Sequence, residues 1–408
     1  TPSDDKAQPT ATEGKTTPPP PPPVDVLSQT AHTIVINGET IAYTATAGRL
    51  VLKAEDEKEG EKPKASIFFV AYTRDRGPDV DEATHAAGRP LTFSFNGGPG
   101  SSSVWLHLGL LGPRRVVLEE DGRAVPPPYR LVDNAYSVLD RTDLVFIDPV
   151  STGYSRMLDG EKTKEFHSYQ RDLDSVGEFI RLYTTRNQRW ASPKFLIGES
   201  YGCTRASTVA GRGSLGASDR AFSVPFNGIV MIGNTVTVGK YFADKSPVYP
   251  AVLAFPTLAA VNWYHNHPSD QTVEEFVAEA KRFADTEYLL ALYLGRSLAP
   301  DTREHIIERV MYYTGVSREY LERRGLVIED VEYRREVIRH KGRSVARLDG
   351  RITRPLYSPP IDEEEWGPRD DGSQGKYDPF FQSVLCGEVF PMLGINWDRN
   401  FVNSASMW

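Results

Sequence analysis

FLIGESYG, residues 195–202, decides the reading of this chain. An apolar run, Phe195-Leu196-Ile197, climbs into Gly198-Glu199-Ser200-Tyr201-Gly202. The pattern predicts a strand, a sharp turn and a helix, with a serine held out at the turn. Gly-x-Ser-x-Gly is the nucleophile-elbow pattern. Its glycines permit the tight strand-to-helix turn, and the amide that follows the serine can donate to an oxyanion. The bland alternative is a tight turn carrying a solvated serine. A serine at such a turn is useful when a histidine can take its proton.

LTFSFN (91–96) reads as a strand, and around the turn short apolar runs bounded by turn residues recur: DLVFID (143–148), KFLIG (194–198) and NGIVMIGN (227–234). Runs of this kind suit strands buried on both faces. Between them, Leu173, Val176, Ile180 and Tyr183 recur at helical spacing behind Ser168, a natural N-cap. Strands alternating with helices predict an α/β fold with a mostly parallel central sheet. TIVINGETIAYTAT (33–46) predicts a hairpin around Asn37-Gly38. The charged stretch KAEDEKEGEKPK (53–64) is expected to be a solvated loop, and ASIFFVAYT to be the strand after it.

Four segments are expected. Residues 1–30, polar and Pro-rich, form a disordered spacer. Residues 31–245 form the first part of the core. Residues 246–355, with amphipathic patterns such as VEEFVAEAKRFADTEYLLALYL, form a helical cap insertion. In residues 356–408, DGSQGKYDP is a loop, FQSVLCGEVFPML resumes a helix-like pattern, and the last residues are NSASMW.

The 408 residues are 39% hydrophobic and 25% charged, with a net charge of −8. A sizeable core is within reach. With no Lys/Arg-rich block, nucleic acid is not an expected partner. No apolar stretch reaches the roughly 18 residues of a membrane span. The two cysteines, Cys203 and Cys386, make no disulfide framework. That scarcity, the lack of Asn-x-Ser/Thr sequons and a start at Thr1 point to an exported bacterial protein, periplasmic or extracellular.

A second motif, FNGGPGSSS (95–103), follows the strand LTFSF. Its consecutive glycines let backbone amides approach a ligand closely. It lacks the lysine of a phosphate-binding loop. With DPVSTGYS (148–155) and GESYG (198–202), it makes the chain resemble the serine carboxypeptidase family of α/β-hydrolases, in that family's order and approximate spacing. The resemblance covers roughly residues 33–408 and is strongest from 91 to 205.

The resemblance implies an α/β-hydrolase fold and hydrolysis of C-terminal peptide bonds, with peptide or protein C-termini as substrates and no metal or organic cofactor. Ser200 matches the nucleophile. Gly98 and Tyr201 match the oxyanion-hole amides. Asn96, Gly97 and Glu199 match the residues that hold the substrate's terminal carboxylate. A carboxylic acid beside a carboxylate helps only while one of the two carries the proton, which fits the family's resemblance to acid-adapted peptidases.

Two departures stand out. Leu110 occupies the place where the family usually has a second glutamate, and Cys203 stands where a third glycine is common. Leu110 gives weight to an esterase or acyltransferase on the same scaffold.

No histidine is in the family's place. After Ser200 come only His265, His267, His305 and His340, all in or beside the cap segment. His265 and His267 are two residues apart, but no cluster completes a metal site. Asp349, Asp378 and Asp398 end no apolar strand. The resemblance places the triad Asp and His in a C-terminal segment, so they are expected outside these residues, on a further segment or a second chain. A sheet without that segment is expected to keep an unpaired edge and bare apolar faces. A non-catalytic, hydrolase-like binding protein is the alternative should the two residues be lacking altogether.

Overall fold

The computed structural model describes residues 23–56, 60–120, 122–214, 224–235, 248–356 and 374–405. The Pro-rich opening up to residue 22, the centre of KAEDEKEGEKPK, the start of DGSQGKYDP and the end of NSASMW lie outside the described residues.

Eight strands form one sheet: β1 (Val26–Ile36), β2 (Glu39–Asp56), β3 (Gly60–Arg74), β4 (Leu91–Phe95), β5 (Asp143–Ile147), β6 (Arg156–Met157), β7 (Lys194–Glu199) and β8 (Gly228–Ile232). Their order is β1-β2-β3-β5-β4-β7-β8, with β6 pairing on β3. The β5-β4-β7-β8 half is parallel, and β1, β2 and β3 run antiparallel along one side.

Asn37 and Gly38 turn β1 into β2 with φ of 52° and 81°, the two left-handed residues a two-residue hairpin requires. β1 starts at Val26, inside the segment read as spacer. The described parts of the charged stretch after Leu52 are strand rather than loop. β2 runs to Asp56 and β3 resumes at Gly60, with an ion pair of 3.2 Å between Lys53 and Glu61 across the strands. This end of the hairpin is largely exposed, so its sequence loses the apolar alternation that marks a strand.

All five residues of β5 are buried, as the DLVFID run predicts, and so are all five of β4. Alternate side chains serve two layers. Leu91, Phe93, Phe95, Val145 and Ile147 pack against helices α1 (Tyr169–Arg186) and α2 (Tyr201–Ser214). Leu144 and Phe146 face the opposite layer, where α6 (Gln374–Val384) and the turn after it place Phe380, Phe381, Leu385 and Phe390. Each such side chain, fully buried, contributes about 1.5–3 kcal/mol.

The expected bare faces are therefore not found at β4 and β5, because residues 374–405 return to cover one of them. β8 differs from its reading as a doubly buried strand. It is an edge strand of the described sheet, and Val230 and Met231 are 49% and 46% exposed.

Ser168 caps α1 by accepting from the Arg171 amide at 3.4 Å, and Leu173, Val176, Ile180 and Tyr183 are buried as predicted. Helices α3 (Val248–Asn266), α4 (Val273–Phe283) and α5 (Pro300–Thr314) build a separate core around Phe255, Phe276, Phe283, Tyr288 and Tyr313. Among the described residues, no helix is long and apolar enough to cross a membrane.

Candidate active site

β7 ends at Glu199, α2 starts at Tyr201, and Ser200 sits between them with φ of +56°. A non-glycine residue persists in this left-handed region only when its surroundings hold it there. Three hydrogen bonds do so. The Ser200 amide donates to the Ile232 carbonyl at 2.9 Å, and the Ser200 carbonyl accepts from the Cys203 amide at 2.9 Å and from Thr235 Oγ1 at 2.8 Å.

The two glycines of the motif are steric necessities. A Cβ on Gly198 would lie 2.1 Å from the Gly202 carbonyl oxygen, and one on Gly202 would lie 2.7 Å from the Phe95 carbonyl oxygen. Cys203 is buried, its thiol lies 3.2 Å from the Gly198 carbonyl oxygen, and burial raises its pKa. It is a packed small residue, not an activated thiol.

The Gly-rich loop leans directly on the elbow. A Cβ on Gly97 would lie 2.5 Å from the Tyr201 nitrogen and 2.6 Å from the Glu199 carbonyl oxygen. Gly98, next along that loop, is exposed. Asn96 is fully buried. Its Nδ2 donates to Glu199 Oε2 at 3.1 Å, and its Oδ1 accepts from the Leu106 amide at 3.1 Å. Asn96, Gly97 and Gly98 thus lie beside Glu199, Ser200 and Tyr201 at the carboxyl end of neighbouring parallel strands, the end at which open α/β sheets bind ligands.

Two residues that sequence reasoning missed hold this arrangement. Arg205 is 0% exposed and Asp172 is 2% exposed. The guanidinium donates to both carboxylate oxygens, Nε to Oδ2 at 2.9 Å and one terminal nitrogen to Oδ1 at 3.1 Å. Its other terminal nitrogen donates to the Asn96 carbonyl at 2.8 Å. The Tyr201 hydroxyl donates to Asp172 Oδ2 at 3.2 Å, and the Arg205 guanidinium lies 5.1 Å from the Tyr201 ring centroid. Burial, followed by the Asp172 charge, raises the Tyr201 pKa well above the ordinary value. One buried ion pair thereby ties α1, α2 and the Gly-rich loop together. Its only signal in the sequence is a lone arginine among the small residues of TRASTVAG.

DPVSTGYS acts as a second fastener. Asp148 Oδ1 accepts from the Ser103 amide at 2.8 Å, at the end of the Gly-rich motif. Ser155 donates to the Asp148 carbonyl at 2.6 Å and accepts from the Phe68 amide at 2.7 Å. Burial raises the Asp148 pKa from 3.8 to about 7, against the opposing pull of the Ser103 amide and the Arg156 charge.

Among the described residues, no histidine is hydrogen-bonded to the Ser200 hydroxyl. His265 bonds to the Gly350 carbonyl at 2.7 Å, His305 pairs with Glu287 at 3.0 Å, and His267 packs on Trp263. Asp349 is paired with Arg351, and Asp378 accepts from Asn403 at 3.0 Å. The described residues contain no group of three or more His, Cys, Asp or Glu placed to hold a metal. Leu110 is 46% exposed, in the turn of π-helix after the Gly-rich loop.

The sequence pattern of the family described as serine carboxypeptidase, Peptidase_S10, matches residues 58–286. The pheromone-processing carboxypeptidase KEX1 of Saccharomyces cerevisiae is 34% identical over 163 residues, covering 38% of this chain and 20% of that protein. A protein of the same name from Puccinia graminis f. sp. tritici is 28% identical over 225 residues, covering 53% of this chain and 30% of that one. The chain therefore spans a fifth to a third of the length of these curated relatives. A crystal structure of a prohormone-processing carboxypeptidase from Saccharomyces cerevisiae aligns at 17% identity and a TM-score of 0.43, covering 88% of this chain and 65% of that one.

Proposed function

The chain belongs to the serine carboxypeptidase family, and on that premise we propose that it hydrolyses C-terminal peptide bonds through an acyl-enzyme on Ser200. Ser200 Oγ attacks the last peptide carbonyl, and the amides of Gly98 and Tyr201 stabilise the oxyanion. The carbonyl re-forms, the C-terminal residue departs with a proton, and water releases the acyl group. The observation that carries this reading is the contact between the two motifs. Gly97 packs against the Tyr201 nitrogen, and this brings the second amide-bearing loop to the serine that the backbone holds at φ of +56°.

Asn96, Gly97 and Glu199 receive the substrate's terminal carboxylate. Asn96 orients Glu199 through the 3.1 Å bond to Oε2. Two carboxyl groups meeting there share a proton, so binding strengthens as pH falls towards the carboxylate range.

The triad Asp and His come from a further segment or a second chain that adds beside β8. That strand is one of the two edges of the described sheet, the one beside β7 and Ser200, and it exposes Val230 and Met231. An unpaired edge of this kind is a template for another strand. Export, to the periplasm or the extracellular space of a bacterium, is the matching location. Fractionation of the natural host tests it.

Leu110 favours a second reading, an esterase or acyltransferase. An exposed leucine where the family has a glutamate removes one donor to the substrate carboxylate. Turnover of an N-blocked dipeptide acid against its amide and its ester by the full-length protein separates the two. A preference for the acid over the amide supports the carboxypeptidase, and equal or better turnover of the amide, with the ester fastest of all, refutes it.

A further inference from the structure

The described backbone holds two serines in the left-handed region, Ser200 and Ser151. Ser151, in the loop after β5, has φ of +74°. Ser200 follows β7, which lies two strands from β5 across β4, and both serines stand beyond the carboxyl ends of their strands. Ser151 Oγ lies 2.8 Å from His167 Nε2. Among the described residues this is the one serine hydroxyl hydrogen-bonded to an imidazole, and both side chains are half-buried rather than sealed.

The distance is that of a nucleophile on its base. The ring must be neutral to accept the proton. Burial lowers the His167 pKa, with the nearby Asp172 charge acting in the opposite sense. Asp172 also offers its charge to the imidazolium that forms, although its oxygens are engaged by Arg205 and Tyr201.

We propose that Ser151 is a second nucleophile, activated by His167, that takes acyl or phosphonyl groups from small activated esters. With an ester, Ser151 Oγ bonds to the acyl carbon and its proton passes to His167 Nε2. The C–O bond to the leaving group breaks, and the alcohol departs with that proton. With a fluorophosphonate, the P–O bond forms, the P–F bond breaks, fluoride leaves and the proton remains on His167. The adduct should persist. The Thr152 and Gly153 amides are already committed to the Pro149 and Val402 carbonyls at 3.0 Å and 2.7 Å, so neither is free to stabilise an oxyanion. A reagent with a good leaving group can acylate Ser151 without that help, whereas water attacking the resulting alkyl ester or phosphonate cannot readily release it. Ser151 is thus a site of stoichiometric modification rather than of turnover.

The inference is independent of the role given to Ser200, and its test removes that serine. The Ser200→Ala full-length protein is treated with a fluorophosphonate and its peptides are mapped by mass spectrometry. An adduct on Ser151 is expected. It should be lost in Ser200→Ala/Ser151→Gly, a change the left-handed backbone tolerates. It should form about a hundredfold more slowly in Ser200→Ala/His167→Gln, the usual scale of general-base assistance. No adduct on Ser151 in Ser200→Ala, or an unchanged rate with Gln at 167 in a protein whose melting curve matches the parent, overturns the proposal.

Discussion

Replacing Arg205 with methionine tests the architecture of the site at its most heavily committed residue. The guanidinium is fully buried and donates three hydrogen bonds, two to Asp172 and one to the Asn96 carbonyl. Methionine fills much of the same space but leaves Asp172, 2% exposed, with the Tyr201 hydroxyl as its remaining side-chain hydrogen bond among the described residues. Breaking a buried pair in this one-sided way costs about 3–5 kcal/mol, because the remaining charge stays desolvated.

At roughly 2–4 °C per kcal/mol for a large domain, the melting temperature should fall by about 6–20 °C. Urea unfolding should show a lower midpoint at unchanged slope. Asp172→Asn combined with Arg205→Met removes both charges and should recover about half or more of the loss, giving a coupling energy of at least about 1.5 kcal/mol in the double-mutant cycle. A single variant within about 0.5 kcal/mol of the parent, or strictly additive changes, would refute the reasoning.

Three further outcomes follow from the same geometry. Gly198→Ala should prevent folding or cost several kcal/mol, since its Cβ meets backbone at 2.1 Å, whereas Gly211→Ala, in open space on α2, should stabilise by about 0.4–1 kcal/mol. Circular dichroism melts of the pair check both. Asp148 has a folded-state pKa of about 7, above its ordinary 3.8. Its contribution is therefore fully present below pH 3.8 and lost as pH rises through 7, over a span of about 4 kcal/mol. Asp148→Asn should gain on the parent in urea titrations at pH 8 and lose that advantage by pH 5, and a pH-independent difference would contradict this. Leu110→Glu should raise the preference for a blocked peptide acid over its amide by about tenfold, the equivalent of one charged hydrogen bond, with kcat/KM as the readout.

The parts of the site legible in the sequence are those set by local backbone demands. Gly198 and Gly202 announce the elbow because no side chain fits at either position, and Asn37-Gly38 announces the hairpin because its turn needs two left-handed residues. Buried runs such as DLVFI betray strands because both faces are apolar. What was illegible depends on partners distant in sequence. The Arg205–Asp172 pair joins residues 33 apart and resembles any surface charge until the packing is known. Asp148 and Ser103 meet across 45 residues. The described residues near the end of β2 and the start of β3 are largely exposed and lack the alternation by which strands are recognised, so their charged sequence reads as a loop. β8 misled in the other direction, as an apolar run that stands at the sheet's edge.

The most direct test of the central claim is release of the C-terminal amino acid from an N-blocked dipeptide acid by the full-length protein and by its Ser200→Ala variant. The account predicts turnover by the parent and a loss on the order of 10⁶-fold in the variant, the scale measured when a triad nucleophile is removed. Comparable release by the two, or none by the folded full-length parent, would contradict it.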